Sequence, residues 1–248
     1  MSGARERMER VNRAKRAMEA ALEFMCQGQT GPEVAARLLR RYGSPGALIE
    51  AGKHQLMRQG LSENNALLLS MIPDIVRHME QQHFGPHPRL ATLNAAEKYL
   101  RVCYIGMNVE RFFLLALDKS GKLIECVHMQ TGNEDSAPFY LKNILAEIVR
   151  TDAKAIVIAH NHPNLTPMPS VADVECTTAL ISALNSIGAP LLDHVIMVGR
   201  HALSLRGFGY VPEARWRQQA PENGLLQHWL ADWDEAGSLR EMEKLAKK

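Results

Sequence analysis

The segment that most constrains the fold is residues 154–163, KAIVIAHNHP, because its composition and its ending are compatible with few structures. An uninterrupted apolar run rich in β-branched residues is typical of a strand that is buried on both faces of a sheet. In a strand, alternate side chains share one face, so His160 and His162 point the same way and Asn161 points oppositely. Pro163 cannot continue the backbone hydrogen bonding of the strand. The sequence therefore predicts a buried strand that presents two imidazoles where it ends.

The rest of the second half alternates strand and helix patterns. RFFLLALD and KLIECVHM, separated by KSG, predict a β-hairpin. SAPFYLKNILAEIVRTD and VADVECTTALISALNSIG have helical periodicity, whereas PLLDHVIMVG and HALSLRG predict two further strands. Because helices are mixed with a hairpin, the predicted fold class is α/β (α+β) with a mixed sheet.

The first half of the chain has a different texture. Residues 1–80 carry helical patterns throughout, and the segment 81–90, QQHFGPHPRL, has the prolines and glycine of a linker. The predicted organisation has three parts. These are an all-helical module over residues 1–85, an α/β domain over 92–211 and a helical C-terminal tail over 212–248, which holds three tryptophans.

Composition excludes several classes of protein. Apolar residues make up 46% and charged residues 23% of the chain, as in ordinary soluble globular proteins, and a net charge of +2 is no global signature of nucleic-acid binding. The 4 cysteines are widely spaced without a CxxC pair, which favours free thiols in a reducing compartment. The start of the chain lacks a signal-peptide pattern, and no segment approaches about 18 uninterrupted apolar residues. We therefore expect a cytoplasmic protein that does not enter the membrane.

The two histidines and a downstream aspartate form a candidate metal site. The nitrogens of His160 and His162 can bind one divalent ion, and Asp173 can add a carboxylate oxygen; with one water, this set suits tetrahedral zinc with an open catalytic position. Ser170 and Asp173 also have the spacing of a helix start, with Ser170 as N-cap and Asp173 as the acidic third residue. Both interpretations are compatible, because a capped helix end is a rigid mount for a ligand.

These residues carry a resemblance to a known family. His160-x-His162-Pro163, six residues, Ser170, two residues and Asp173 resembles the JAMM signature of MPN-type metalloproteases. The stretches IVIAHNHPNLTPMPSVAD, LLDHVIMVG and SLRGFGY, together with RFFLLALDKSGKLIECVHMQTGNEDSAP, resemble the C-terminal domain of the bacterial RadC family. The resemblance covers roughly residues 92–211 and implies an MPN/JAMM (cytidine-deaminase-like) mixed-sheet domain.

The resemblance also implies a site and an activity. It implies zinc, with water as the remaining ligand, held by His160, His162 and Asp173. It implies a general-base glutamate upstream of the motif. Glu110, immediately before RFFLLALD, matches that position best, and Glu125 is the alternative. Ser170 would help to stabilise the oxyanion. The implied activity is that of a JAMM-type zinc metallopeptidase that cleaves a peptide or isopeptide with a metal-activated water.

The sequence departs from the family pattern in the loop after the histidines. RadC-like sequences usually continue His-Asn-His-Pro-Ser-Gly, whereas this chain has Asn164 and Leu165. The loss of the glycine changes the backbone freedom of the loop over the metal. We expect metal binding to survive this change, with an effect on substrate access.

The helical first half resembles the family's N-terminal helix-hairpin-helix region, in LLRRYGSPGALIEAGKHQLMRQGLSENNALLLSMI. In that motif a Gly-x-Gly turn presents backbone N–H groups to a DNA phosphate. Here the turn reads Gly60-Leu61-Ser62, so the second glycine is absent. A plain packed hairpin and a DNA contact both remain open. The DNA contact would use Gly60, Arg58, Arg40 and Arg41. The second hypothesis for the whole chain is therefore a DNA-repair-associated DNA-binding or scaffold protein whose metal site is structural.

Overall fold

A computed structural model describes residues 2–26, 31–129, 137–199, 201–212, 215–216, 224–225 and 229 of the chain. Five helices come first: α1 (Ser2–Met25), α2 (Gly31–Tyr42), α3 (Pro45–Ile49), α4 (Lys53–Arg58) and α5 (Glu63–Gln82). Then follow α6 (Leu93–Cys103), β1 (Phe112–Leu117), β2 (Leu123–Met129), α7 (Ala137–Thr151), β3 (Ala155–Asn161), α8 (Val171–Asn185), β4 (Leu191–Val198) and β5 (His201–Ser204). The chain divides into two compact units, Met1–His78 and Met79–Lys248.

The first unit is helical over its described residues and has its own core. Buried leucines from successive helices form this core, among them Leu22, Leu38, Leu48, Leu56 and Leu69. Local signals set the helix ends. After α2 the chain turns at Gly43, which has a φ of 72° and whose N–H donates to the carbonyl of Leu39, as expected of a glycine that ends a helix. Ser44 then accepts a hydrogen bond from the N–H of Ala47 and caps α3.

The second unit contains a five-stranded mixed sheet in the order β2-β1-β3-β4-β5. Strand β1 is antiparallel to both β2 and β3, β3 is parallel to β4, and β4 is antiparallel to β5. Helix α8 makes the crossover connection that a parallel pair requires. The predicted hairpin is β1–β2, and the predicted α/β class with a mixed sheet is confirmed.

Helices cover both faces of this sheet, so every residue of β3 is buried, as expected for a strand of its composition. Val157 and Ala159 belong to a core that includes residues of α6, whereas Ile156 and Ile158 belong to a core that includes residues of α7 and α8. By alternation, His160 continues the series of Ile156 and Ile158. The sheet thus turns His160 towards the side on which α8 packs.

The tail contributes to both cores of the second unit. Trp216 and Trp229 are fully buried, the first in the core with α7 and α8 and the second in the core with α6. Most of the predicted tail, with Trp233, lies outside the described residues. Within the part of the chain that the structure describes, no helix combines the length and apolarity needed to cross a bilayer.

Candidate metal centre

The predicted metal ligands lie together at the end of β3. His160 is in the strand, His162 follows it, and Asp173 lies in the first turn of α8; their possible ligand atoms are all within 4.8 Å of one another. The two Nε2 atoms are 3.0 Å apart, and His160 Nε2 is 3.3 Å from Asp173 Oδ1. His162 Nε2 is 3.8 Å from Asp173 Oδ2. Two nitrogens and a carboxylate oxygen therefore converge on one point.

The capping box of α8 holds Asp173 in place. The Ser170 hydroxyl oxygen accepts a hydrogen bond of 3.1 Å from the N–H of Asp173. In return, Asp173 Oδ2 accepts the N–H of Ser170 at 2.7 Å and its hydroxyl proton at 2.7 Å. Because Oδ2 is occupied by these donors, Oδ1 is the oxygen that is turned towards His160. The cap and the ligand interpretations of this pair are structurally compatible.

The loop after β3 folds back on His162. The Nδ1 of His162 lies 2.8 Å from the carbonyl oxygen of Thr166, which can only accept, so Nδ1 carries the proton. Leu165 makes this return possible with a φ of 60°, a left-handed conformation in which side chains other than glycine are strained. The leucine that replaces the family's glycine therefore adopts a conformation typical of glycine.

Replacement of Leu165 with glycine is expected to raise the free energy of unfolding by roughly 0.5–1 kcal/mol. The removal of left-handed strain, about 1–2 kcal/mol, exceeds the added entropy of the unfolded chain, about 0.4–1 kcal/mol. Urea denaturation measures the change. Thr166→Gly is the matched control, since Thr166 has no positive φ and the substitution adds only unfolded-state entropy. A loss of stability in Leu165→Gly equal to that in Thr166→Gly would contradict the strain assignment.

Burial prepares the site for a cation. Burial lowers the pKa of His160 to about 4, against the opposing attraction of the Asp173 carboxylate, so this ring is neutral at pH 7 and keeps a nitrogen lone pair. The side chains of His162 and Asp173 are 13% and 16% exposed, which leaves the site open on one side. On tetrahedral zinc, two nitrogens at about 2.05 Å from the metal lie about 3.3 Å apart. Among the residues that the structure describes, the donor set and its spacing therefore fit zinc with an open position.

The strand register distinguishes the two glutamates. Phe112 pairs with His160 at the end of the antiparallel ladder, and Glu110 precedes Phe112 by two residues. Glu125 pairs with Ala116, which itself pairs with Ile156 near the other end of β3. The carboxylate of Glu125 also bonds the Arg150 guanidinium at 2.8 Å. Glu125 therefore lies near the end of β3 away from His160, whereas the position of Glu110 next to the metal site stays a prediction.

Asn161, between the two histidines, has a function that the sequence reasoning missed. Its Oδ1 accepts the N–H of Arg111 at 2.8 Å, and its Nδ2 donates to the carbonyls of Val109 at 3.1 Å and Met107 at 3.3 Å. These bonds hold the segment on either side of Glu110. The available signal was an amide residue, with both donors and an acceptor, on the opposite face of a fully buried strand.

His194 and Thr177 are also closer to the site than sequence indicated. Strand β4 is parallel to β3, and His194 pairs with Ile158, so its ring reaches His160 with an Nε2–Nδ1 distance of 2.9 Å. Its Nδ1 is 2.6 Å from the hydroxyl oxygen of Thr177. Burial holds the pKa of His194 well below its ordinary value. The carboxylate of the preceding residue, Asp193, accepts the backbone N–H of His194 at 2.8 Å.

The turn Gly60-Leu61-Ser62 of the helical unit has features of both alternatives, a plain packed hairpin and a hairpin that contacts DNA. Gly60 has a φ of 95°, and Ser62 accepts the N–H of Asn65 at 3.3 Å, so the serine caps α5. The Arg37 guanidinium donates to the carbonyl of Gln59 at 2.7 Å, next to the same turn. The arginines of the DNA hypothesis have exposed side chains: Arg40, Arg41 and Arg58. DNA contact through this unit stays a prediction.

In a comparison with known proteins, residues 90–210 match a family model described as RadC-like JAB domain. A UPF0758 protein of Chromobacterium violaceum is 30% identical over 186 residues, which are 75% of this chain and 83% of that protein. A UPF0758 protein of Bordetella petrii is 28% identical over 190 residues, or 76% of this chain and 84% of the relative. A UPF0758 protein of Shewanella oneidensis is 28% identical over 185 residues, which are 74% of this chain and 82% of that protein.

Proposed function

The chain belongs to the RadC-like JAB-domain family, and we propose that it is a zinc-dependent hydrolase of amide bonds, of the metallopeptidase or isopeptidase type. The observation that carries this proposal is the convergence of the His160 and His162 Nε2 atoms with a carboxylate oxygen of Asp173 on a side that is open to solvent. Three protein ligands with an open fourth position are typical of catalytic zinc, whereas structural zinc sites are usually closed by a fourth protein ligand.

Each of the three ligands would supply one donor atom to the ion. His160 and His162 would supply neutral nitrogen donors, and Asp173 would supply Oδ1, the oxygen that its capping box leaves available. Zinc bound there would supply Lewis-acid chemistry, because it polarises a carbonyl and brings the pKa of water to about 7. The Phe112 ring lies parallel to the His160 ring at a centroid distance of 6.2 Å.

Glu110 is the proposed general base. Its carboxylate would take a proton from the attacking water and pass it to the amine that leaves as the C–N bond breaks. Two observations support this assignment: Phe112, two residues after Glu110, pairs with His160, and Asn161 forms hydrogen bonds with the residues on either side of Glu110. Exposure of the side chain is compatible with this role, because the carboxylate must meet both water and substrate.

Ser170 is the proposed oxyanion stabiliser, and this role requires a small rearrangement. Its hydroxyl proton goes to Asp173 Oδ2. Rotation of the hydroxyl would free that proton for the carbonyl oxygen of the substrate as negative charge develops. Asp173 would remain in place meanwhile, because the backbone N–H of Ser170 also donates to Oδ2 at 2.7 Å.

Removal and restoration of the metal test the proposed function. The protein should cleave at least one member of a panel of unstructured peptides and isopeptide-linked conjugates. Treatment with 1,10-phenanthroline should abolish cleavage, and a stoichiometric addition of zinc, but not of magnesium, should restore it, because nitrogen ligands favour zinc. Cleavage that persists at full rate in the chelator, or failure to cleave any member of the panel with zinc bound, would count against the proposal.

A further inference from the structure

Behind the candidate metal centre lies a chain of buried side chains whose inner members, His194 and Thr177, are not among the three converging ligands. His160 Nδ1 is 2.9 Å from His194 Nε2, and His194 Nδ1 is 2.6 Å from the hydroxyl oxygen of Thr177. That hydroxyl in turn donates to the backbone carbonyl of Asp173 at 2.6 Å. His160, His194 and Thr177 are at most 1% exposed. The chain thus starts at one metal ligand and ends on the backbone of another.

The direction of each bond follows from the number of protons. A carbonyl oxygen can only accept, so the single proton of Thr177 goes to Asp173. The Thr177 oxygen must then accept from His194, whose proton is therefore on Nδ1. A neutral His194 has a bare Nε2, which accepts the proton on His160 Nδ1. His160 is left with a bare Nε2, the atom that lies 3.0 Å from His162 Nε2.

We propose that Thr177 and His194 are positioning residues that set the tautomer of His160, so that its Nε2 lone pair faces the cation. We call the hydrogen-bonded series His160–His194–Thr177 the relay. Without it, a neutral His160 would be distributed between two tautomers, and the tautomer protonated at Nε2 cannot bind the metal through that atom until it loses the proton. Hydrogen bonds from the far nitrogen of a ligating histidine also fix the orientation of the ring and make it a better donor. The inference rests on the proposed zinc site and specifies how the site is made ready.

The helix α8 provides a matched pair of threonines for the test. Thr178, the next residue, bonds the carbonyl of Val174 at 2.8 Å in the same way as Thr177 bonds that of Asp173. Substitution of either threonine with valine removes one hydroxyl that donates to the carbonyl four residues earlier in α8. Only Thr177→Val also removes the hydrogen bond with His194. Thr177→Ser retains a hydroxyl at the position and serves as the conservative variant.

Zinc affinity, measured by competition with a chromophoric chelator, is the first readout. We expect Thr177→Val to bind zinc about 10–100-fold more weakly than wild type, as is typical when a hydrogen-bond partner of a metal ligand is lost. Thr177→Ser and Thr178→Val should remain within about threefold of wild type. Equal zinc affinities of Thr177→Val and Thr178→Val would overturn the proposal.

The histidine tautomers of the metal-free protein are the second readout, by two-dimensional ¹⁵N–¹H NMR of the imidazole rings. Wild type should show His160 and His194 each protonated at Nδ1, and Thr177→Val should show mixed tautomers. Protonation of His194 at Nε2 in wild type would overturn the proposal even if the variant failed to fold. This experiment also separates the two inferences. A wild-type protein with the expected tautomers but without zinc affinity would overturn the proposed function and leave the relay standing.

Discussion

Replacement of Glu110 with glutamine is expected to slow amide hydrolysis at least about a hundredfold while zinc binding stays at the wild-type level. Loss of a general acid–base group typically costs a factor of about 10²–10⁴ in rate. Zinc binding should persist because Glu110 is not among the three converging ligands. Initial rates on any cleaved substrate, with zinc content measured on the same sample, provide the comparison.

Glu125→Gln is the matched control for this prediction. The substitution has the same chemistry, but Glu125 lies in β2 opposite Ala116 and bonds Arg150. That ion pair is half-exposed and contributes little to stability, about 1 kcal/mol or less. The control should therefore keep most of the wild-type rate. A greater loss of rate in Glu125→Gln than in Glu110→Gln would reverse the assignment of the general base.

Wild type is expected to lose about 3 kcal/mol of stability as Asp193 ionises with rising pH, and Asp193→Asn is expected to remove this loss. Asp193 is fully buried. It accepts the Ser204 hydroxyl at 2.5 Å and the backbone N–H of Arg206 at 3.3 Å. Burial raises the pKa of Asp193 to about 6, although these hydrogen bonds and the charge of Arg206 act in the opposite direction. An ionised carboxylate therefore costs free energy in this core at neutral pH.

The sign follows from the raised pKa. The folded protein holds the Asp193 proton more tightly than the unfolded chain, so this residue's contribution to stability is complete below about pH 4 and is lost as pH rises through about 6. Asparagine cannot ionise and has no such loss. Urea unfolding of the metal-free proteins should therefore show the variant gaining about 2 kcal/mol of this total relative to wild type between pH 4 and pH 7, because the unfolded carboxyl is already about half ionised at pH 4.

Asp193→Ala separates the charge from the hydrogen bonds in the same experiment. Alanine also lacks the charge, but it leaves the Ser204 hydroxyl and the His194 backbone N–H without this acceptor. It should therefore be less stable than Asp193→Asn at every pH, by about 1–3 kcal/mol. A stability difference between wild type and Asp193→Asn that stays constant from pH 4 to pH 7 would contradict the raised pKa.

The features that sequence predicted well are those that depend on local periodicity. The apolar run in residues 154–163 predicted the buried strand, and the two-residue spacing of His160 and His162 predicted their shared face, because side-chain direction in a strand follows from position alone. The spacing from Ser170 to Asp173 predicted the helix start, because a capping box is a contact within one turn. The hairpin β1–β2 has a short turn that fixes its partner in the same way.

The features that sequence did not predict depend on pairings between distant segments. His194 follows His160 by 34 residues, and only the parallel pairing of β3 with β4 brings their rings together. The distance of Glu125 from the histidine end of β3 likewise follows only from the pairing of β2 with β1 and of β1 with β3. Asn161 was assigned to the opposite face correctly, but its partners at Met107, Val109 and Arg111 lie 50 or more residues away.

Zinc bound per chain, measured by elemental analysis and by titration of the metal-free protein, tests most directly whether His160, His162 and Asp173 hold a cation. Wild type should bind about one zinc per chain. His160→Ala and His162→Ala should each lose most of that affinity, and His201→Ala, which replaces an exposed histidine of β5, should not. A wild-type protein that takes up no zinc after reconstitution, or His160→Ala and His162→Ala proteins that bind it as tightly as wild type, would contradict the metal site.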